Sequence, residues 1–155
     1  MKIVTGRESE VLRQKAKKIK APLAPDTQDL LLKMVDLMRK ADGIGLAAPQ
    51  VSVSLRLCVT EIDGVVQYFM NPVISSASRE KILFEEGCLS LPGEFFPIER
   101  SQSITLRYTD ERGKERKQKM HGLLAICLQH ELDHLDGVLI ADRYKKQKIK
   151  QSYAL

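Results

Sequence analysis

The segment LLAICLQHELDHLDGVLI, residues 123–140, is largely apolar but carries two histidines, a glutamate and two aspartates. At 3.6 residues per turn, His130 and His134 lie one turn apart on one face of a helix. Gly122 and Gly137 flank the apolar stretch where a helix would begin and end. Two imidazoles at this spacing can hold a metal ion or form a hydrogen-bonded pair in a core. The segment therefore predicts a central helix and leaves its chemistry open.

The length and composition are those of one globular domain covering residues 1–155. Hydrophobic residues make up 43% of the chain and charged residues 29%, and no run has the length and apolar character of a membrane span. The first residues, MKIVTGRESEVLRQ, contain no apolar core of a signal peptide. We therefore expect a cytoplasmic protein that has no membrane partner. These features do not determine the oligomeric state, for which a monomer is our expectation.

The cysteines and the basic residues narrow the function further. Three cysteines at irregular spacing argue against a disulfide framework and favour a reducing compartment. The net charge of +5 is concentrated in residues 111–119 and 145–151. Such runs can contact nucleic acid or a ribosome, but they are more often a solvated surface, which is the interpretation we favour.

The other periodic segments predict a second helix and antiparallel strands. Apolar residues at helical spacing begin after Asp26 and stop before Asp42-Gly43. The β-rich runs are residues 2–5, 55–62, 65–74 and 103–120, with turns at Asp63-Gly64 and within 110–113. This order predicts an α+β fold in which antiparallel sheets pack around the central helix.

The sequence His130-Glu131-Leu132-Asp133-His134 matches the pattern HExxH. In that pattern the two histidines chelate a divalent metal, and the glutamate reaches a water bound to it. Five residues with three fixed types also occur by chance, so a third ligand is needed to support a metal site.

The three cysteines differ as candidates for this ligand. Cys127 shares the helical face, but a metal midway between the histidines would lie about 7.5 Å along the axis from its Cα, beyond the reach of its thiolate. Cys58 alternates within a predicted strand and is expected in the core. Cys88 lies in EEGCLSLPG, a loop or strand end where a thiol can be exposed. We therefore predict Cys88 as the third ligand, with a fourth position left for water.

The sequence GIGLAAPQ, residues 43–50, could form a second part of the site. Glycines two residues apart let another backbone approach closely, and Gln50 supplies a neutral amide donor. A lone pair of glycines is more typical of a simple turn.

Taken together, GIGLAAPQ, EGCLS and QHELDH resemble, in this order and spacing, the three motifs of the peptide deformylases. These enzymes hydrolyse the N-terminal formyl group of new polypeptides and release formate. The resemblance implies metal ligands at Cys88, His130 and His134, a catalytic Glu131, and oxyanion stabilisation by Gln50 and the Leu89 N–H. It implies a methionine pocket formed by Gly43, Ile44, Gly45, Leu123, Ile126 and Cys127.

The resemblance also carries expectations about substrate, metal and partners. The substrate would be an N-formylmethionyl peptide or nascent chain, extended beside the backbones of 43–45 and of 86–88, including Gly87. The implied cofactor is one divalent ion, Fe²⁺ first, with Zn²⁺, Ni²⁺ or Co²⁺ as alternatives. Only thirteen residues follow Asp142, whereas many family members carry a longer basic C-terminal helix, so we expect at most a transient ribosome contact.

Two other interpretations fit parts of the sequence. A small zinc peptidase would take its third ligand from histidine or glutamate, and the only further histidine, His121, is expected to be exposed. Alternatively, Cys88 and the two motif histidines could hold a structural zinc while the basic runs bind RNA, although structural sites normally have four protein ligands. Glu85 and Glu86 are expected to be a solvated or salt-bridged pair, with Arg100 as a partner for Glu86.

Overall fold

The structure, a computed structural model, describes residues 1–154 and contains four helices and seven strands. The helices are α1 (Glu10–Arg13), α2 (Pro25–Lys40), α3 (Gly122–Leu135) and α4 (Ile140–Tyr153). The strands are β1 (Gly45–Ala47), β2 (Leu57–Ile62), β3 (Val65–Ala77), β4 (Lys81–Cys88), β5 (Leu91–Ser101), β6 (Ser103–Thr109) and β7 (Glu115–His121). A 3-10 turn, Ala48–Val51, follows β1.

The strands form two antiparallel sheets. One has five strands in the order β1-β2-β3-β6-β7, and the other is the two-stranded ribbon β4-β5. The predicted α+β class with antiparallel sheets is confirmed. Since β1 ends its sheet and β4 pairs only with β5, each leaves one edge unpaired within the described part of the chain.

Helix α3 is buried because apolar residues surround most of it. Its residues Ala125, Leu128, Leu132 and Leu135 pack against the inner face of the large sheet, which contributes Cys58, Phe69, Ile104, Leu106, Tyr108 and Met120. Helix α2 covers β1 and β2 through Leu31, Met34 and Met38. A third apolar cluster joins α1, β5 and the start of α4 through Leu12, Ile98 and Ile140. The HExxH segment therefore lies in the interior.

Several local predictions agree with the structure and others do not. The turns at Asp63-Gly64 and 110–113 join paired strands, and α2 begins at Pro25, one residue before the predicted start. The predicted strand over residues 2–5 is wrong, because these residues belong to neither sheet. The ribbon β4-β5 and helix α4 were not identified from periodicity. Among residues 1–154, no helix combines the length and apolar character that crossing a membrane requires.

The end of α3 is held by a close backbone contact at Gly137. This residue has a φ of 74°, and a Cβ placed on it would lie 2.5 Å from the carbonyl oxygen of Arg13. The N–H of Ala16 also donates to the carbonyl of Leu135 at 2.8 Å. The segment after α1 therefore packs directly on the C-terminus of α3, where only glycine fits.

We expect Gly137→Ala to lower the free energy of unfolding by about 3 kcal/mol, because left-handed strain and overpacking against backbone add together. Gly64→Ala is the matched control, since Gly64 has a φ of 76° but no atom within 4 Å of the added Cβ. The control should lose only about 1 kcal/mol. Urea unfolding of both variants measures the difference, and equal losses would contradict the close contact at Gly137.

Candidate active site

The three predicted metal ligands come together although they are far apart in sequence. Cys88 at the end of β4 and His130 and His134 on α3 place their ligand atoms within 4.8 Å of one another. The Cys88 Sγ lies 3.3 Å from His134 Nε2. Around a tetrahedral zinc-like ion, with metal–sulfur and metal–nitrogen bonds of about 2.3 and 2.0 Å, ligand atoms are about 3.5 Å apart. The donor set and its spacing therefore fit one divalent cation.

An irregularity in the ribbon directs Cys88 toward α3. Gly87 pairs with Phe95, but the next residue, Cys88, pairs with Leu91, so the register shifts at this point. The chain then reverses through Leu89 and Ser90. The thiol of Cys88 is half-buried at this turn and faces the two imidazoles.

A buried ion network orients His130. Its Nδ1 donates to Glu86 Oε2 at 2.8 Å, which leaves Nε2 free for a metal. The guanidinium of Arg100 donates to both oxygens of Glu86, at 2.6 and 2.9 Å, and to Asp133 Oδ2 at 2.7 Å. The predicted pairing of Glu86 with Arg100 is present, but Glu86 is buried while Glu85 is exposed. The contact between Glu86 and His130 was not predicted.

The pKa values of the two imidazoles are shifted in opposite directions. Burial disfavours the charged form of His130, but the neighbouring Cys88 and Glu86 outweigh this effect and raise its pKa to about 10. Burial and the neighbouring His130 lower the pKa of His134 well below its usual range. For Glu86, burial opposes ionisation, but Arg100 and His130 lower the pKa to about 2. Glu86 thus stays ionised beside His130, and His134 stays in the neutral form that ligates metals, whereas His130 must release its proton to bind one.

Glu131 lies in the same interior but outside this ion network. Its side chain is 3% exposed, and Oε2 has no hydrogen-bond partner among residues 1–154. Burial is the main cause that raises the pKa of Glu131 to about 7. A Cβ on Gly45 would overlap the Glu131 carboxylate and lie 2.6 Å from Cys127 Sγ. The first motif therefore needs glycine at position 45 to make room for this carboxylate, which can gain or lose a proton near neutral pH.

The side chain of Gln50 is held in a fixed orientation. It is 1% exposed, and its Oε1 accepts from the Ala47 N–H at 2.9 Å. Since a backbone N–H only donates, the amide oxygen must face Ala47 and the NH₂ group must face the cluster. That NH₂ donates to Ser90 Oγ at 3.1 Å and lies 3.9 Å from Cys88 Sγ.

The N-terminal segment fastens these two motifs to each other. The N–H of Val4 donates to the carbonyl of Gln50 at 2.8 Å, and the N–H of Gly6 donates to the carbonyl of Ser90 at 2.9 Å. The N-terminal segment, which includes the predicted strand 2–5 and the following Gly6, therefore connects the first motif with the second. The periodicity of the sequence could not predict this connection, because it is made by backbone atoms of residues outside the sheets.

A cleft of about 630 Å³ opens above the cluster, between the unpaired edges of β1 and β4. It is lined by these predicted site residues: Gly43, Ile44, Gly45, Gln50, Gly87, Cys88, Leu89, Leu123, Ile126, Cys127, His130 and Glu131. His134 is buried and is not among the residues that line the cleft. His121 is exposed at the end of β7 and lines a different cavity. Residues that sequence reasoning did not place here include Ile3, Phe84, Pro92 and Phe95.

A cysteine and two HExxH imidazoles beside a buried carboxylate, at the end of an apolar cleft, are typical of a metal-dependent hydrolase site. Comparison with known sequences gives the family. The sequence profile of the polypeptide deformylases matches residues 1–150. A peptide deformylase of Parasynechococcus marenigrum is 44% identical over 140 residues, covering 87% of this chain and 69% of that protein. One of Chlorobaculum tepidum is 45% identical over 144 residues, covering 88% and 76%.

Solved structures show the same relationship. The crystal structure of peptide deformylase from Thermotoga maritima superposes with a TM-score of 0.88 at 38% identity, covering 92% of this chain and 95% of that one. The enzyme from Synechococcus elongatus in complex with actinonin gives 0.88 at 38%, covering 91% and 77%. The chain belongs to the polypeptide deformylase family, the hydrolases that remove the N-terminal formyl group from new polypeptides. The predicted family and activity are confirmed.

We expect Arg100→Ala to lower the free energy of unfolding by about 3 to 5 kcal/mol, because it leaves Glu86 and Asp133 buried without their cation. Arg39→Ala is the control, since Arg39 makes a similar two-bond pair with Glu61 at 2.7 and 2.9 Å while its side chain is 56% exposed. The control should change stability by about 1 kcal/mol or less. Thermal and urea unfolding measure both, and a small effect of Arg100→Ala would refute the role assigned to the network.

Proposed function

We propose that Cys88, His130 and His134 hold the one divalent cation of this deformylase and that Glu131 carries the proton during hydrolysis. The observation that supports this best is the unpaired, buried carboxylate of Glu131 next to the cluster, at the end of the cleft. When bound, a divalent cation supplies Lewis acidity, which lowers the pKa of a coordinated water toward about 7 and polarises the formyl carbonyl.

Glu131 then serves first as a base and afterwards as an acid. Its carboxylate accepts a proton from the attacking water as the oxygen bonds to the formyl carbon. It delivers this proton to the amine nitrogen as the carbon–nitrogen bond breaks, which releases formate and a free N-terminus. Burial raises the pKa of Glu131 to about 7, which makes its carboxylate a better proton acceptor than a solvated one.

Gln50 and Leu89 are proposed to stabilise the negative charge that develops on the formyl oxygen. The Gln50 NH₂ is aimed at the cluster by the Ala47 N–H. Leu89 directly follows the ligand Cys88 and lines the cleft, so its N–H is a second candidate donor. Donors that are fixed before the reaction stabilise a transition-state charge without reorganisation.

The methionine side chain is assigned to the apolar part of the cleft beside α3. We assign its contacts to Gly43, Ile44, Gly45, Leu123, Ile126 and Cys127. The peptide backbone would extend between β1 and β4 and pass Gly87. This is supported by the two unpaired strand edges, which offer backbone hydrogen bonds to an added strand.

The metal and the partners complete the proposal. We assign Fe²⁺ as the working metal, with Zn²⁺, Ni²⁺ or Co²⁺ as ions that the same ligands can hold. The substrates of the enzyme are N-formylmethionyl peptides and nascent chains. We assign the enzyme to the cytoplasm, as a monomer with one catalytic domain. Any ribosome contact is transient and would use the lysines of α4. Among residues 1–154, no fourth ligating side chain joins the cluster, which argues against a closed structural zinc site.

We expect Glu131→Gln to retain the bound metal and the fold but to lose about 10²- to 10⁴-fold in kcat, because it removes the proton carrier without removing a ligand. Formate release from formyl-Met-Ala-Ser, with metal content measured on the same sample, tests this. Turnover within tenfold of the parent enzyme would refute the role of Glu131.

Two cysteine variants provide the controls for the ligand set. Cys88→Ala should lose metal and activity together, as should His134→Ala. Cys127→Ala should keep one equivalent of metal, because its Sγ packs near the Ile44 carbonyl, at 3.8 Å, and is not one of the three clustered ligands. Loss of metal in Cys127→Ala but not in Cys88→Ala would show that the ligand set is wrong.

We expect the freshly prepared iron enzyme to lose activity in air and to keep it under anaerobic conditions, because a ferrous ion held by Cys88 at the end of the cleft would leave both the ion and the sulfur accessible to oxygen. Replacement of iron by nickel or cobalt should protect the activity. A time course of deformylation with metal analysis at each point measures this. Equal and lasting activity of a zinc-only preparation would contradict the iron assignment and leave the ligands unaffected.

A further inference from the structure

An exposed aromatic ring stands at the rim of the cleft on the side away from α3. Phe95 is 64% exposed and lines the cleft together with Gly87, its cross-strand partner. A Cβ placed on Gly87 would lie 2.8 Å from the Phe95 ring. The ring therefore lies over the backbone of Gly87, the residue that precedes the metal ligand Cys88.

The alternation of side chains along β4 fixes which way this ring faces. Glu86 points inward, because it contacts His130 and Arg100. Its neighbour Gly87 must therefore face outward, and directly paired residues of an antiparallel ribbon share a face. Phe95 consequently stands on the outer face of the ribbon, which agrees with its high exposure.

A peptide bound between β1 and β4 would show the same alternation. This step rests on the proposed function, in which the methionine side chain points inward toward α3. The side chain of the following residue must then point outward, on the same face as Gly87 and Phe95. Because Gly87 has no side chain, nothing on that strand separates the second residue of the substrate from the ring.

We propose that Phe95 is a specificity-determining residue, and that it favours an aromatic or large aliphatic side chain directly after formyl-methionine. Aromatic pairs and aromatic–aliphatic pairs across neighbouring strands attract each other. The exposed Glu85 lies on the same outer face, two residues from Gly87, and opposes an acidic side chain at that position. A ring that only shielded Gly87 would give no such preference.

The test compares formyl-Met-Phe-Ser with formyl-Met-Ala-Ser in the metal-loaded enzyme. The parent enzyme should show a kcat/KM about five- to tenfold higher for the first peptide, mainly through KM, because the contact persists from the bound state to the transition state. In Phe95→Ala this ratio should fall to about one, and in Phe95→Tyr it should persist. With formyl-Met-Ser-Phe, whose aromatic residue comes third, Phe95→Ala should not selectively reduce activity.

Leu83→Ala is the matched control, because Leu83 is 62% exposed on the outer face of the same strand and does not line the cleft. It should leave the ratio and the activity unchanged. An equal loss on both peptides in Phe95→Ala, an intact ratio in that variant, or a ratio near one in the parent enzyme would each overturn the role of Phe95. Absence of formate release from every peptide by the parent enzyme would overturn the proposed function together with this inference.

Discussion

The guanidinium of Arg100 joins the β4-β5 ribbon to α3, and the position of the site depends on this connection. It lies 3% exposed between Glu86 of β4 and Asp133 of α3. Carboxylates buried at such depth need a cation and several hydrogen bonds to offset the loss of solvent. Here the partners belong to two elements that are separate in sequence. Because both carboxylates need Arg100, β4 is held against α3, and Cys88 comes within reach of the two histidines.

The same helix separates two acids that stand two residues apart. Residues at this spacing point to opposite sides of a helix, so Asp133 faces Arg100 and Arg143 while Glu131 faces Gly45 in the cleft. Asp133 receives hydrogen bonds from both arginines. Glu131 is buried, but no arginine donates a hydrogen bond to it among residues 1–154, and burial raises its pKa to about 7. One acid thus stabilises the structure, whereas the other is left able to exchange a proton.

The sequence was informative where a local pattern determines structure. Helical period identified α3 and α2, and the dipeptide Asp63-Gly64 identified a hairpin. The motifs identified the family and the three candidate ligand residues that the structure brings together. The ribbon β4-β5 was missed because each of its strands mixes apolar and charged residues on faces that only the tertiary packing distinguishes. For Glu86, the pairing with Arg100 was predicted but its burial and its contact with His130 were not, although its spacing of two from Cys88 places both side chains on one face of a strand.

The two edges of the cleft each require a glycine, Gly45 and Gly87, but for opposite physical reasons. At Gly45, the carboxylate of Glu131 and the thiol of Cys127, which belong to the interior, occupy the space that a side chain would need. At Gly87, the ring of Phe95 on the outer face of the ribbon occupies that space. Both edges therefore present bare backbone to the cleft, and a peptide lying between them would meet hydrogen-bonding groups before it met side chains. Discrimination between peptides must then come from the groups behind these glycines, which are the apolar wall beside α3 on one face and the aromatic ring on the other.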